Sequence, residues 1–100
     1  MPTATWKNTV IAEAQPNELV TVEGNLYFPL ASVQPEHIRA SAHQTVCPRK
    51  GTASYYDVVV GDEVNANAAW YYATPKDAAK EITGRVAFWK GVLVKQFVQS

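Results

Sequence analysis

Cys47, Lys50 and His43 are the residues of this chain with the most chemistry to offer, and they stand close together in His43-Gln44-Thr45-Val46-Cys47-Pro48-Arg49-Lys50-Gly51-Thr52. A cysteine becomes a nucleophile when its thiolate is favoured, and a neighbouring cation or imidazole favours it. Arg49, Lys50 and His43 are the groups available for that. The plainer role for Cys47 is structural, because a cysteine at a strand end packs as a small hydrophobe. Lys50 offers a second chemistry, electrostatic stabilisation of an anionic transition state. Lys50-Gly51-Thr52 is not a P-loop, since the order differs and no upstream glycine has the needed spacing. A glycine beside a lysine can still present backbone N–H groups to an anion. The alternative is a turn in which the glycine supplies positive φ. His43, Cys47 and the nearby His37 fall short of a metal site, because nothing in the sequence designates the carboxylates that would complete it. No metal and no cofactor is expected.

The aromatic residues form a second constellation. Tyr55, Tyr56, Trp70, Tyr71, Tyr72, Phe88 and Trp89 fall on three strand-like segments. Alternation puts Trp70 and Tyr72 on one face and Tyr71 on the other, and it separates Tyr55 from Tyr56. Aromatics on strands usually build the core. Their number here is generous for one small core, and a concave aromatic face with a few polar groups is the usual form of a small-ligand site. The expected pocket has Tyr56, Trp70, Tyr71 and Phe88 as walls. Lys50, Arg85 and Glu23 would orient a planar or anionic ligand in it. The alternative for Glu23 and Arg85 is a modest surface ion pair. Two other classes stand beside the binding domain: an enzyme working through Cys47 or Lys50, and an interaction module whose aromatics are all core or exposed edge.

The elements that must position these residues are mostly strands. Strands are expected over 3–6, 9–14, 19–23, 26–28, 54–60, 68–72, 85–89 and 92–98. Lys7-Asn8, Gly24-Asn25 and Lys90-Gly91 are the hairpin turns, and Gly24 and Asn25 both tolerate positive φ. Residues 32–40 read as irregular, with a helical turn after Pro35. Residues 65–67 read as a loop. One short helix is expected over about 75–83, with Thr74 as N-cap, Pro75 at the first position and Gly84 just past its end. The sum is antiparallel β with a minor helix and no βαβ alternation.

One hundred residues make a single domain, 1–100, with enough surface to bury a core unaided. Lys and Arg number nine and Asp and Glu nine, so the formal net charge is zero. No broad basic field exists for nucleic acid or anionic lipid, and neither is an expected partner. No apolar run is long enough to span a bilayer and the first residues carry no apolar signal segment. A lone cysteine suits a reducing compartment, so the cytoplasm is the expected location.

Several motifs resemble one family. They are Val22-Glu23-Gly24-Asn25-Leu26-Tyr27-Phe28-Pro29, Thr45-Val46-Cys47-Pro48 with Lys50-Gly51-Thr52-Ala53-Ser54-Tyr55-Tyr56, Ala69-Trp70-Tyr71-Tyr72 with Pro75, and Gly84-Arg85-Val86-Ala87-Phe88. Together they are similar to the small bacterial family known as domain of unknown function 427, which carries a nucleotidyltransferase label. That family often has Trp where this chain has Arg49. The resemblance implies a β-tent-like fold of two antiparallel sheets meeting at an angle, akin to methionine sulfoxide reductase B and the cereblon ligand domain. Many of those relatives hold a zinc with paired cysteines; this chain has no such pairs, so the resemblance brings no metal. It brings no catalytic assignment either, and a shared fold supplies none.

Overall fold

The first four strands fold as two tight hairpins, with an Asn or a Gly at positive φ in each reversal. In the computed structural model, which describes residues 1–96, β1 (Thr3–Trp6) returns as β2 (Thr9–Glu13) through Lys7 and Asn8, at φ 51° and 58°. Positive φ at both central residues is the type I′ geometry, whose twist matches that of paired strands. β3 (Val20–Val22) returns as β4 (Asn25–Tyr27) in the same way. The sequence places that second turn at Gly24-Asn25. The structure sets it one residue earlier, with Glu23 at φ 53°, Gly24 at φ 80° and Val22 opposite Asn25. The shift lifts Glu23 out of a strand to the apex of a turn.

The largest sheet follows. β5 (Ile38–Cys47), β6 (Gly51–Val60), β7 (Glu63–Tyr71) and β8 (Val86–Phe88) pair antiparallel in that order. The helical turn expected after Pro35 is there as Pro35–His37, but β5 takes up residues 38–40 of the stretch read as irregular and adds a strand across 41–47, where none is expected. From Ala42 to Val46 its side chains are exposed on both faces, so no alternation of polar and apolar residues marks it. β7 begins at Glu63, not at 68, for a related reason: its first half holds Asn65 and Asn67, poor strand formers that are sustained by pairing with β6.

β9 (Leu93–Lys95) pairs with β1 and completes a three-stranded sheet in the order β2-β1-β9. The turn at Lys90-Gly91 is present, with φ 53° and 88°. It does not make the expected hairpin, because β8 and β9 belong to different sheets. Residues 97–98 of the expected last strand lie outside the described residues.

The short helix is a 3-10 helix, Asp77–Ile82, broken at Ala79. Lys76, not Thr74, is its cap residue. Ala79 and Ile82 are its buried side, and Gly84 at φ 70° turns the chain away. Three further 3-10 turns, Pro16–Glu18, Leu30–Ser32 and Pro35–His37, join the strands. None of these described helices is long and apolar enough to cross a membrane.

Period-two alternation splits the buried residues into two cores, one on each face of the large sheet. Tyr56, Tyr71, Val86 and Phe88 point toward the three-stranded sheet and pack with Ala4, Ile11, Ala12 and Phe28. Tyr55, Trp70, Tyr72 and Ala87 point the other way and pack with Tyr27, Ala53, Ala79 and Ile82. The end of β4 serves both cores, since its last residue, Tyr27, enters the second and Phe28, just past it, enters the first.

Candidate functional site

The second core does not close completely. A cleft of about 210 Å³ opens over it, with Tyr27, Tyr55, Trp70 and Tyr72 as aromatic walls, Trp89 and Asn25 at its margin, and Lys50 beneath. Register explains the aromatic walls: Tyr55 and Trp70 are direct partners across β6 and β7. The Trp70 indole N–H donates to the Tyr27 hydroxyl at 3.2 Å, and the two rings meet edge to face with centroids 6.3 Å apart. The Tyr55 hydroxyl shares a 3.0 Å hydrogen bond with Thr45 Oγ1. These contacts hold the rings in place.

Lys50 is placed by the turn that joins β5 to β6. Pro48, Arg49 and Lys50 reverse the chain, and Gly51 completes the reversal at φ 109°, which an L side chain rarely adopts. The segment before the 3-10 helix clamps this turn from outside. Lys76 N–H donates to the Lys50 carbonyl at 2.8 Å, and Lys76 Nζ donates to the Pro48 carbonyl at 2.7 Å. The Lys50 side chain then runs inward and is only 9% exposed. A buried ammonium needs a counter-charge. Glu23 supplies it from the apex of the β3–β4 turn, as an ion pair to Lys50 Nζ.

This pairing sets the protonation of both groups. Burial pulls the Lys50 ammonium pKa down, but the hydrogen bond to Glu23 and the nearby Tyr27 and Tyr72 phenols outweigh it, and the net shift is upward. Lys50 is thus a fixed cation, unsuited to act as a free-amine nucleophile. The hydrogen bond and charge of Lys50 hold the Glu23 carboxyl below its ordinary value. Burial, followed by the nearby Tyr27, raises Tyr72, so that hydroxyl stays neutral.

Cys47 sits where β5 enters the same turn and packs against the second core. The backbone N–H groups of Lys50 and Arg49 point at its sulfur and lower the thiol pKa, against a smaller opposing effect of burial. A thiolate favoured in this way should react early with electrophiles. Iodoacetamide is expected to alkylate Cys47 in the folded chain at lower pH than in the urea-unfolded chain. Equal pH midpoints in the two states would show that the turn does not activate the thiol.

The expected site residues divide between the two faces. Lys50 and Trp70 lie in the cleft, and Glu23 joins them through its ion pair. Tyr56 and Tyr71 lie on the opposite face, stacked with centroids 4.7 Å apart and packed on the first core. Phe88 is in that first core too, edge to face with Phe28 at 5.7 Å. Arg85 donates to the Glu18 carbonyl and borders a shallow depression beside Pro29 and Leu30, away from the aromatic cleft. In their place stand Tyr27, Tyr55, Tyr72 and Trp89. The alternation of β7 is enough to find Tyr72, since it must share a face with Trp70. Tyr55 needs the register of β6 against β7, and Tyr27 needs the docking of β4, neither of which short-range pattern supplies.

Comparison with curated proteins gives no match. The family model for domain of unknown function 427 matches residues 3–100, nearly the whole chain, and the chain belongs to that family.

Proposed function

We propose that this domain binds a small planar anion, with the ring in the aromatic cleft and the anionic group on Lys50. One observation carries the reading: a protonated, nearly fully buried lysine lines one cleft with four aromatic side chains, Tyr27, Tyr55, Trp70 and Tyr72. An ammonium has three donors. Glu23 takes one, and among the described residues no other hydrogen bond forms to Lys50 Nζ. The remaining donors suit a carboxylate or phosphate oxygen, while the rings give a planar group apolar and edge contacts. The chemistry on which a catalytic alternative would draw is the Cys47 thiol, and the alkylation profile above tests it.

A thermal-shift panel of nucleotides, aromatic carboxylates and their uncharged amides tests the binding reading. A ligand that binds only the folded state raises the melting temperature with the logarithm of its concentration. The anions should do so and should change the fluorescence of Trp70 and Trp89; their amides should not. A panel in which no planar anion shifts either signal overturns the proposal.

A further inference from the structure

The aromatic surface does not end at the cleft. Tyr55 and Trp70 are cross-strand partners, and His43 on β5 lies against Tyr55 with ring centroids 4.7 Å apart. At the other end Trp89 meets Trp70 edge to face at 5.8 Å. Four rings therefore cross the sheet in a row, one from each strand of β5, β6 and β7 and one just past β8. Three inter-strand steps of the ordinary spacing make such a row about 14 Å long. That is longer than a single heterocycle. The row also has an open end: β5 is the edge of its sheet, and His43 is exposed.

Charge follows the same line. Lys90 Nζ lies 5.1 Å from the centre of the Trp89 ring. Lys50 lines the cleft, Arg49 belongs to the turn beside it, and Lys76 clamps that turn. The strands of the sheet carry two carboxylates, Asp57 and Glu63, and both are paired, with Arg39 and Lys7. Lys50 is matched by Glu23, so the local excess of cations that the zero net charge of the chain conceals comes from Lys90, Arg49 and Lys76.

We infer that the ligand class of this site is a short single-stranded oligonucleotide, with one base in the cleft, the next over Tyr55 and His43, and the connecting phosphate near Lys50. Successive planar groups joined by anionic links match a row of rings flanked by cations, and base–aromatic stacking is the ordinary means by which sheets hold single strands. A peptide could offer planar side chains, but its links carry no charge for Lys50. The inference rests on the reading of the cleft as a planar-anion site and extends it by one subsite.

The test compares 5′-phosphorylated mono-, di- and triadenylate by calorimetry, on the parent chain and on His43→Ala, with an aromatic carboxylate as a second probe. His43 is outside the cleft and exposed, so the variant should melt with the parent. The dinucleotide is expected to bind about tenfold tighter than the monomer, the worth of one stacked base. His43→Ala should remove most of that gain and leave the monomer unchanged. Added salt should weaken the dinucleotide more than the monomer, as each phosphate contact releases counterions. Equal binding of monomer and dimer, or a gain that His43→Ala leaves intact, overturns the second subsite but not the cleft. Binding of the carboxylate with no adenylate binding has the same meaning. Failure of every probe, carboxylate included, overturns both readings.

Discussion

Phe28→Ala is expected to lower the melting temperature by about 15–30 °C, since truncating a core phenylalanine costs about 3–5 kcal/mol and each kcal/mol moves a domain of this size by several degrees. Phe28 is fully buried, and its ring packs edge to face on Phe88. Its backbone also exchanges two hydrogen bonds of 2.8 Å with Val86, the bridge that ties the β3–β4 hairpin to β8. The substitution keeps those bonds in principle but leaves a cavity between them and the first core. A small domain has about 5–15 kcal/mol to lose. The damage should also reach the cleft, because Tyr27 precedes Phe28 and holds Trp70 from the other face of β4. Circular-dichroism melts and tryptophan fluorescence of the still-folded variant check both parts. A melting shift below about 5 °C would mean that the site collapses around the gap, at odds with the usual cost of such cavities.

The sequence is most readable where local chemistry and tertiary structure agree. Lys7-Asn8 makes a turn on its own account, and β6, rich in Tyr and Val, is a strand in any context. β5 is invisible for the opposite reason: it has no buried face from Ala42 to Val46 and exists because β6 offers it a ladder. The 3-10 helix lies between. Its apolar positions Ala79 and Ile82 are legible, while its tight, broken geometry is set by the anchoring of Lys76 on Lys50.

For the site, residue type finds more than face does. Lys50, Glu23 and Trp70 stand out by chemistry and are together in the structure. Tyr56, Tyr71 and Phe88 stand out equally, and strand parity sends them to the opposite core. One step of parity exchanges Phe88 for Trp89 and Tyr71 for Tyr72. The register that decides it comes from Tyr55 facing Trp70 and Trp70 facing Ala87, pairings between distant parts of the chain.

Lys50→Met is expected to weaken binding of a planar anion at least tenfold while leaving the fold in place, and the contrast between the two outcomes is what makes it informative. A buried ion exchanged for an apolar chain of similar length is often neutral for stability. Here its partner can return to water, because the Glu23 side chain is 52% exposed. Lost binding would therefore report the missing cation, not a missing structure. Glu23→Gln makes the complementary change: it removes the resident carboxylate and leaves the ammonium buried without its counter-charge. Stability should fall, and anion affinity should rise, because the ligand no longer competes with Glu23 for Lys50. The pH dependence has a definite sign. Glu23 is lowered from 4.5, so its contribution is present above that value and is lost as pH falls through the lowered pKa. Lys50 is raised from 10.5, so its contribution is complete below that value and is lost as pH rises through the raised pKa. The parent should carry the pair's stabilisation between these limits, and Lys50→Met should lack both edges in a series of melts. A Lys50→Met chain that binds planar anions as the parent does would remove the central claim about this cleft, because among the described residues no other side chain lining it carries a positive charge.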